Sequence, residues 1–388
     1  MNKETIIGVV GSGAMGSGIA QVAAASGHDV VLMDSNGEQL GKAKKNLRAT
    51  LDKLAEKGKI TKLVADEIFG RINFTETNAA FSKCGLIIEA IVENLDVKQS
   101  VFTALEKVVT KECILASNTS SLSITSIASV CENASRLIGI HFFNPAPLMP
   151  LVEIIPGITT DSMIIHDCKA LIDSWGKSTV IAKDSPGFIV NRVARSYYGE
   201  AIRIYEEGIA DFATIDWAMK HSGGFKMGPF ELMDFIGNDI NFKVTETVWE
   251  QFFYEPRFKP SLTQKRLFEA KHFGRKSGKG YYDYSEGAKM PLPFEDTGIG
   301  SQIFFRVLVM LINEAADALY LGLASKEDID TAMTKGVNYP KGLLKWADEL
   351  GVQAVYNKLQ ELYEEYGEDR YRPCVLLKRM AKTGLTFY

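Results

Sequence analysis

Residues 5–18 read TIIGVVGSGAMGSG, from Thr5 to Gly18, and this stretch decides the fold. Ile6-Ile7-Gly8-Val9-Val10 is a short apolar run of the kind shown by a strand buried on both faces. Gly11-Ser12-Gly13-Ala14-Met15-Gly16 follows at once, and Ile19 to Ala25 continues as good helix. The order strand, glycine turn, helix carries the meaning. Gly11 permits the tight turn, Gly13 lets backbone approach a pyrophosphate, and Gly16 lets the helix pack close to the strand. The helix N-terminus then offers its unpaired N–H groups to the anion.

Working outward, His28 to Met33 reads as a second strand, and it ends in Asp34. An acid about 20 residues past such a turn is placed to hydrogen-bond the adenine ribose hydroxyls. Asp34 repels a 2′-phosphate, so the expected cofactor is NAD rather than NADP.

The next segment, Gly37 to Gly70, is longer than a usual crossover helix and reads as a helical pair broken near Gly58. Lys42, Lys44, Lys45, Arg48, Lys53, Lys57, Lys59 and Lys62 face Glu38, Asp52, Glu56, Asp66 and Glu67, eight positive charges against five negative. That is either a solvated face or a basic arm for an anionic part of the substrate.

Further strands are expected at Arg71–Phe74, Leu86–Ala90, Cys113–Ala116, Leu137–Ile140, Leu151–Ile155 and Ser178–Ile181, with helices at 96–109 and 161–175. Leu86–Ala90 is apolar until Glu89. The polar burst Ser117-Asn118-Thr119-Ser120-Ser121 directly follows a buried strand, so one serine is expected to cap a helix while another faces a ligand. His141 leads HFFNPAPLMP, whose three prolines stiffen the loop. Histidine titrates near neutral pH and suits a general base, and Glu153 on the next strand is spaced to pair with it. His28, His166, His221 and His272 read as ordinary surface or core residues.

Asp184-Ser185-Pro186-Gly187 marks a boundary. Beyond it the pattern turns helical, beginning with a long apolar helix over 189–207. An internal repeat then emerges. Glu200-Ala201 recurs as Glu314-Ala315, a shift of 114 (314 minus 200), and the same shift pairs Ile215-Asp216 with Ile329-Asp330, Gly228 with Gly342, Asp234 with Asp348 and Gly237 with Gly351. The expected organisation is a dinucleotide-binding domain over 1–185, a helical domain over 186–284, a linker over 285–300 and a second helical copy over 301–388.

Composition bounds the rest. The chain has 388 residues, 46% apolar, with a net charge of −4 that gives no case for nucleic acid. Met1-Asn2-Lys3-Glu4 leads straight into the first strand, so no signal peptide is expected, and no apolar run reaches membrane-span length. Five scattered cysteines without a CxxC read as reduced thiols of a cytoplasmic protein, and no cluster has metal-ligand spacing.

SNTSSLSIT at 117–125, HFFNP at 141–145, LVEII at 151–155 and PGFIVNR at 186–192 resemble the L-3-hydroxyacyl-CoA dehydrogenases. The resemblance runs from GSGAMGSGIA to FGRKSGKGYYDY at 273–284 and covers essentially the whole chain. It implies a Rossmann-type doubly wound α/β sheet followed by a duplicated all-α C-terminal domain of the 6-phosphogluconate-dehydrogenase-like kind. It further implies oxidation of a (3S)-3-hydroxyacyl-CoA by NAD, as in fatty-acid β-oxidation, with His141 and Glu153 as the proton-transferring pair. Ser120 and Asn191 match the residues that bind the substrate's 3-oxygen. The NAD contacts implied are Gly11, Ser12, Gly13, Ala14, Met15, Gly16, Asp34, Glu93, Lys98, Asn118, Ser120, Asn144 and Lys276. The CoA contacts implied are Thr50, Lys57, Lys98 and Ser120, with Thr50 standing where some relatives have serine.

The second helical copy resembles the longer members that act on 3-hydroxyadipyl-CoA or 3-hydroxybutyryl-CoA, and it lacks a complete GRKSGKG loop, so no second active site is expected. Single-copy members commonly dimerise through the helical domain, which implies a monomer with an internal pseudo-dimer, or else a homodimer. A substrate with a second carboxylate wants a cationic partner; Arg195, Arg203 and Lys226 are available and equally readable as surface charges. Two competing readings are a dehydrogenase of free 3-hydroxy acids and a non-catalytic NAD-binding protein of the lens-crystallin kind. HFFNP, LVE and the basic arm speak against the first, and intact Ser120, His141, Glu153 and Asn191 against the second.

Overall fold

Strand β1 is Ile6–Val10, with four of its five residues buried, as an unbroken apolar run between two covered faces requires. The computed structural model describes residues 1–388, which fall into two compact units, Met1–Ser185 and Pro186–Tyr388. No helix is long and apolar enough to cross a membrane.

In the first unit β1 leads through α1 (Ala14–Ala25), β2 (Val30–Met33), α2 (Gly37–Glu56), α3 (Lys62–Gly70), β3 (Ile72–Thr75), β4 (Cys84–Glu89) and α4 (Leu95–Glu106). The chain continues through β5 (Ile114–Ser117), α5 (Ile124–Ala128), β6 (Leu137–Phe142), β7 (Leu151–Pro156), α6 (Ser162–Ser174) and β8 (Ser178–Ile181). The sheet order is β3-β2-β1-β4-β5-β6-β7-β8. Every pairing is parallel except β6 with β7. The short proline-rich connection after β6 has no room for a crossover helix, so the chain must reverse there. The strand order also reverses between β1 and β4, the switch point beside which open α/β sheets bind ligands. Ile7, Val9, Leu32, Leu86, Ile88 and Ile138 are sealed in the core.

Two local expectations are corrected here. β2 begins at Val30, because His28 is spent as a buried clasp whose Nδ1 lies 2.9 Å from the Thr5 carbonyl. None of the residues 117–121 caps a helix. Ser123 does so, accepting from the Ser126 N–H, while Asp184 accepts from Ser123 Oγ and from the N–H groups of Ile124 and Thr125.

The second unit is all helical: α7 (Val190–Val193), α8 (Arg195–Glu206), α9 (Phe212–Gly223), α10 (Pro229–Ile236), α11 (Asn238–Gln251) and α12 (Leu262–Glu269), then α13 (Thr297–Tyr320), α14 (Lys326–Gly336), α15 (Leu343–Leu350), α16 (Val352–Tyr366) and α17 (Val375–Thr383). The single helix expected over 189–207 is interrupted at Ala194, where the Asn191 carbonyl accepts from the Arg195 side-chain Nε at 2.9 Å. The connecting segment expected to reach Gly300 stops sooner, because Asp296 caps α13 through the Ile299 N–H.

The repeat is written into the hydrogen bonds. Asp216 accepts from the Phe230 and Glu231 N–H groups and from the Tyr282 hydroxyl. Asp330, 114 positions on, accepts from the Leu344 and Lys345 N–H groups and the Tyr388 hydroxyl. In both copies a glycine, Gly228 or Gly342, abuts that aspartate so closely that any Cβ would collide with it. Between the copies the ion pairs are reciprocal. Arg192 Nε meets Glu314 at 2.5 Å, and Arg306 Nε meets Glu200 at 2.6 Å. Adding 114 to 192 gives 306, and adding it to 200 gives 314. One patch therefore contacts its own copy across a two-fold, which is the pattern of an isologous dimer interface inside a single chain.

Candidate active site

The site begins with the glycine turn. Gly11 has φ +96°, which any other residue adopts only under strain. A Cβ on Gly16 would lie 1.8 Å from the Gly11 carbonyl oxygen, so only hydrogen fits between helix and turn. Gly13 is different: a Cβ there would meet nothing within 4 Å. Gly13 is also the N-cap of α1 and supplies no side-chain cap, so the first-turn N–H groups, those of Ala14, Met15 and Gly16 among them, carry no side-chain acceptor. That open approach to uncapped donors fits a pyrophosphate.

A cavity of about 750 Å³ opens beside the turn, with Gly11, Gly13, Asp34, Ile91, Val92 and Val97 in its walls. Apolar walls with one acid at the edge suit an adenosine. Asp34 accepts from the Ser12 N–H and Ser12 Oγ, both at 2.8 Å, and from the Asn36 N–H. Burial pushes its carboxyl up, but these hydrogen bonds outweigh that and hold it below the usual carboxylate range. Ser12 is accordingly committed to orienting Asp34 rather than turned outward.

The two steric situations give opposite expectations. Gly13→Ala should unfold at the native denaturant midpoint yet lose at least about tenfold in NAD affinity, since its methyl group occupies the ligand's approach. Gly16→Ala should lose about 3 kcal/mol of stability, because backbone stands in its way. Urea unfolding and fluorescence titration with NADH check both, and equal stability losses would contradict the distinction.

The contact between His141 and Glu153 comes from strand register. β6 and β7 pair antiparallel with His141 directly opposite Glu153, so their side chains share a face. Nδ1 of His141 lies 2.7 Å from Oε2 of Glu153, and the carboxylate is fully buried with the imidazole 6% exposed. An ionised carboxylate only accepts, so Nδ1 carries the hydrogen. Asn118, at the end of β5, accepts from the Phe142 N–H at 2.8 Å and so ties the end of β6 in place. Asn144, two residues past β6, is exposed.

A second cluster lies at the end of β4. Glu93 Oε1 accepts from Thr119 Oγ1 at 2.6 Å, from the Ser120 N–H at 3.0 Å and from Ser121 Oγ at 3.0 Å, which fixes the loop that carries Ser120. Burial pushes Glu93 up, and the Lys98 charge with these hydrogen bonds pulls it below its ordinary value. Lys98 is 1% exposed, with its ammonium 2.6 Å from Glu89 and 3.3 Å from Glu93. Lys98, expected among the NAD and CoA contacts, has its ammonium enclosed by these two carboxylates. Glu89 was given no role in the sequence reading. It is fully buried and accepts from Lys98, from the Ile91 N–H and from Ser117 Oγ. The signal was present as the single charge closing an apolar strand.

The basic arm on α2 and α3 divides in two. Lys42 pairs with Glu38, while Arg48 and Lys62 share Asp52 and Asp66. Lys44, Lys45, Lys53, Lys57 and Lys59 form no ion pair with an acid, and Thr50 and Lys57 are exposed. Asn191 and Lys276 lie in the helical unit, Asn191 on α7 and Lys276 in an ion pair with Asp239.

Comparison with known proteins adds four findings. The family described as 3-hydroxyacyl-CoA dehydrogenase, NAD binding domain, matches residues 6–185, and its C-terminal domain matches 187–284 and again 303–386. The chain is 37% identical to a 3-hydroxyadipyl-CoA dehydrogenase of Escherichia coli, across 98% of both chains. It is 43% identical to the mitochondrial hydroxyacyl-coenzyme A dehydrogenase of Sus scrofa, across 71% of this chain and 90% of that one. Among solved structures, a 3-hydroxybutyryl-CoA dehydrogenase from Escherichia coli K12 superimposes with a TM-score of 0.93 at 36% identity, covering 99% of each chain.

Proposed function

Because the chain belongs to the 3-hydroxyacyl-CoA dehydrogenase family, its reaction is the NAD-dependent oxidation of a 3-hydroxyacyl-CoA to the 3-oxoacyl-CoA, and we propose that His141 and Glu153 are the base pair that carries it. The observation behind this assignment is the 2.7 Å contact of a buried carboxylate with Nδ1. With Nδ1 committed to Glu153, proton exchange with the substrate hydroxyl falls to Nε2. Glu153 holds the ring in that tautomer and stabilises the imidazolium once the proton has moved. NAD, when bound, accepts the hydride from C3. Ser120, on the loop that Glu93 fixes, and Asn191 hydrogen-bond the C3 oxygen and stabilise charge developing there. The unpaired lysines of α2 and the segment after it, Lys57 among them, attract the CoA phosphates, with Thr50 beside them.

Asp34 selects NAD by repelling a 2′-phosphate. Glu89 and Lys98 are positioning residues that hold Glu93, the contact proposed for the nicotinamide side. Asn118, Asn144 and Lys276 complete the cofactor contacts. For assembly we favour a monomer, because the reciprocal Arg192–Glu314 and Arg306–Glu200 pairs already supply the isologous contact that a second subunit would bring. A cytoplasmic location fits the thiols: Cys84, Cys113, Cys168 and Cys374 are buried and unbridged, and burial pushes Cys84 and Cys113 up to about 12.

Nicotinamide absorbance with 3-hydroxybutyryl-CoA and with free 3-hydroxybutyrate tests the reading. Turnover of the thioester is expected, and little of the free acid. Comparable kcat/KM for the two would defeat the role given to the basic arm.

A further inference from the structure

Three arginines, Arg192, Arg195 and Arg306, are buried in the helical unit and Arg257 is partly buried; all but Arg195 are neutralised. Arg192 meets Glu314 and Asp317, Arg257 meets Glu314 and Asp317, and Arg306 meets Glu200 and Glu207. Arg195 is 7% exposed and meets no carboxylate. Its hydrogen bonds go to neutral acceptors: the Asn191 carbonyl at 2.9 Å, Thr245 Oγ1 at 3.1 Å and the Asn241 carbonyl at 3.5 Å. Its guanidinium lies 5.0 Å from the centre of the Tyr198 ring. Nη2 forms no hydrogen bond and is not among the sealed atoms that lack one, so it keeps some accessibility. Tyr339, close enough to interact electrostatically with Arg195, has a buried hydroxyl without a partner.

A buried cation without a counter-charge is costly, and such charges are ordinarily paired. Here the donors left over are Nη2 of Arg195 and the Tyr339 hydroxyl, and the charge itself is answered by no acid. Arg203 and Lys226, the other cations considered for this task, are placed differently. Arg203 pairs with Glu207 and Glu368, and Lys226 is exposed.

We propose that Arg195 receives the carboxylate at the far end of a dicarboxylic acyl chain and so sets the enzyme's preference for such substrates. This rests on the reading that Asn191 binds the C3 oxygen. Arg195 is four residues from Asn191, and its Nε lies 2.9 Å from the Asn191 carbonyl oxygen. In a 3-hydroxyadipyl chain the terminal carboxyl carbon lies three bonds of about 1.5 Å beyond C3. The Nη2 edge of the guanidinium, which carries no hydrogen bond, is left to meet it. By its bond to the Asn191 carbonyl, Arg195 also couples the two ends of the acyl site.

The test compares 3-hydroxyadipyl-CoA with 3-hydroxyhexanoyl-CoA, of equal length but with a methyl end. The native enzyme should favour the diacid in kcat/KM. Arg195→Met should lower the ratio of the two kcat/KM values by about 10–100-fold, chiefly through KM, and Arg195→Lys should fall between. A native preference for the methyl end, needing no variant, overturns the proposal, and so does an equal loss on both substrates in Arg195→Met. Asn191→Ala on 3-hydroxybutyryl-CoA separates the two levels. Undiminished turnover there removes the placement of Asn191 and this inference with it, whereas a large loss there alongside an unchanged substrate ratio in Arg195→Met defeats the inference alone.

Discussion

His141→Ala is expected to lower kcat for 3-hydroxybutyryl-CoA by about 10²–10⁴-fold, the contribution of one well-placed general base, while NAD still binds. The separation follows from the geometry. His141 sits on β6 facing Glu153, whereas the cofactor cradle is built by the β1–α1 turn and Asp34. The side chain removed supports neither Gly13 nor Asp34. Glu153→Gln keeps the volume but presents a neutral amide to Nδ1. It should cost at least about 10²-fold in kcat, because the imidazolium loses its counter-charge and the amide N–H₂ group favours the wrong tautomer. Both variants can be read by stopped-flow hydride transfer and NADH titration. Loss of NADH binding in His141→Ala, or native kcat in Glu153→Gln, would remove the roles given to them.

Truncation after Gly287 should abolish the folded monomer. Helix α13 buries Ile303, Val307, Leu308, Leu311 and Ile312 at 3% exposure or less, packed in the helical unit. Each such side chain contributes about 1.5–3 kcal/mol by burial. The cut also strips buried Arg192 of both its acids, Glu314 and Asp317, at about 3–5 kcal/mol for a broken buried pair, and leaves partly buried Arg257 with Glu255 alone. The shortened chain has two ways out: to aggregate, or to pair with a second copy through the surface that α13 covered. The relative from Sus scrofa, aligned over 71% of this chain, shows that sequences of about that length are used. Sedimentation of the 1–287 fragment checks this. A folded, active monomer would show that the second copy is dispensable and that the reciprocal ion pairs do not stand in for a subunit.

The parts legible in the sequence are those carried by neighbours along the chain. The glycine turn, the strand ending in Asp34, the helical pair after it and the boundary at Asp184–Gly187 are local patterns, and periodicity with steric demand is enough to read them. The duplication was legible for a related reason: two segments under the same packing constraint keep the same glycines against the same aspartates, as Gly228 with Asp216 and Gly342 with Asp330 show. His141 and Glu153 were readable as candidates, but their 2.7 Å contact depends on the antiparallel register of β6 and β7, in which a one-residue slip would send Glu153 to the opposite face.

What tertiary structure alone decided is which charge meets which. Lys98 reads as a ligand-binding lysine, and its ammonium is enclosed by Glu89 and Glu93. Arg192 and Arg195 stand three residues apart, yet one is answered by carboxylates more than a hundred positions away and the other by none. Local sequence has no account of this, because the energy of a buried charge depends on partners brought to it by the whole fold and on the water excluded around it. The sequence by itself determined the two kinds of domain and the cofactor, and it singled out the histidine proposed as the base. Only packing determined which buried cations are answered by carboxylates and which is not.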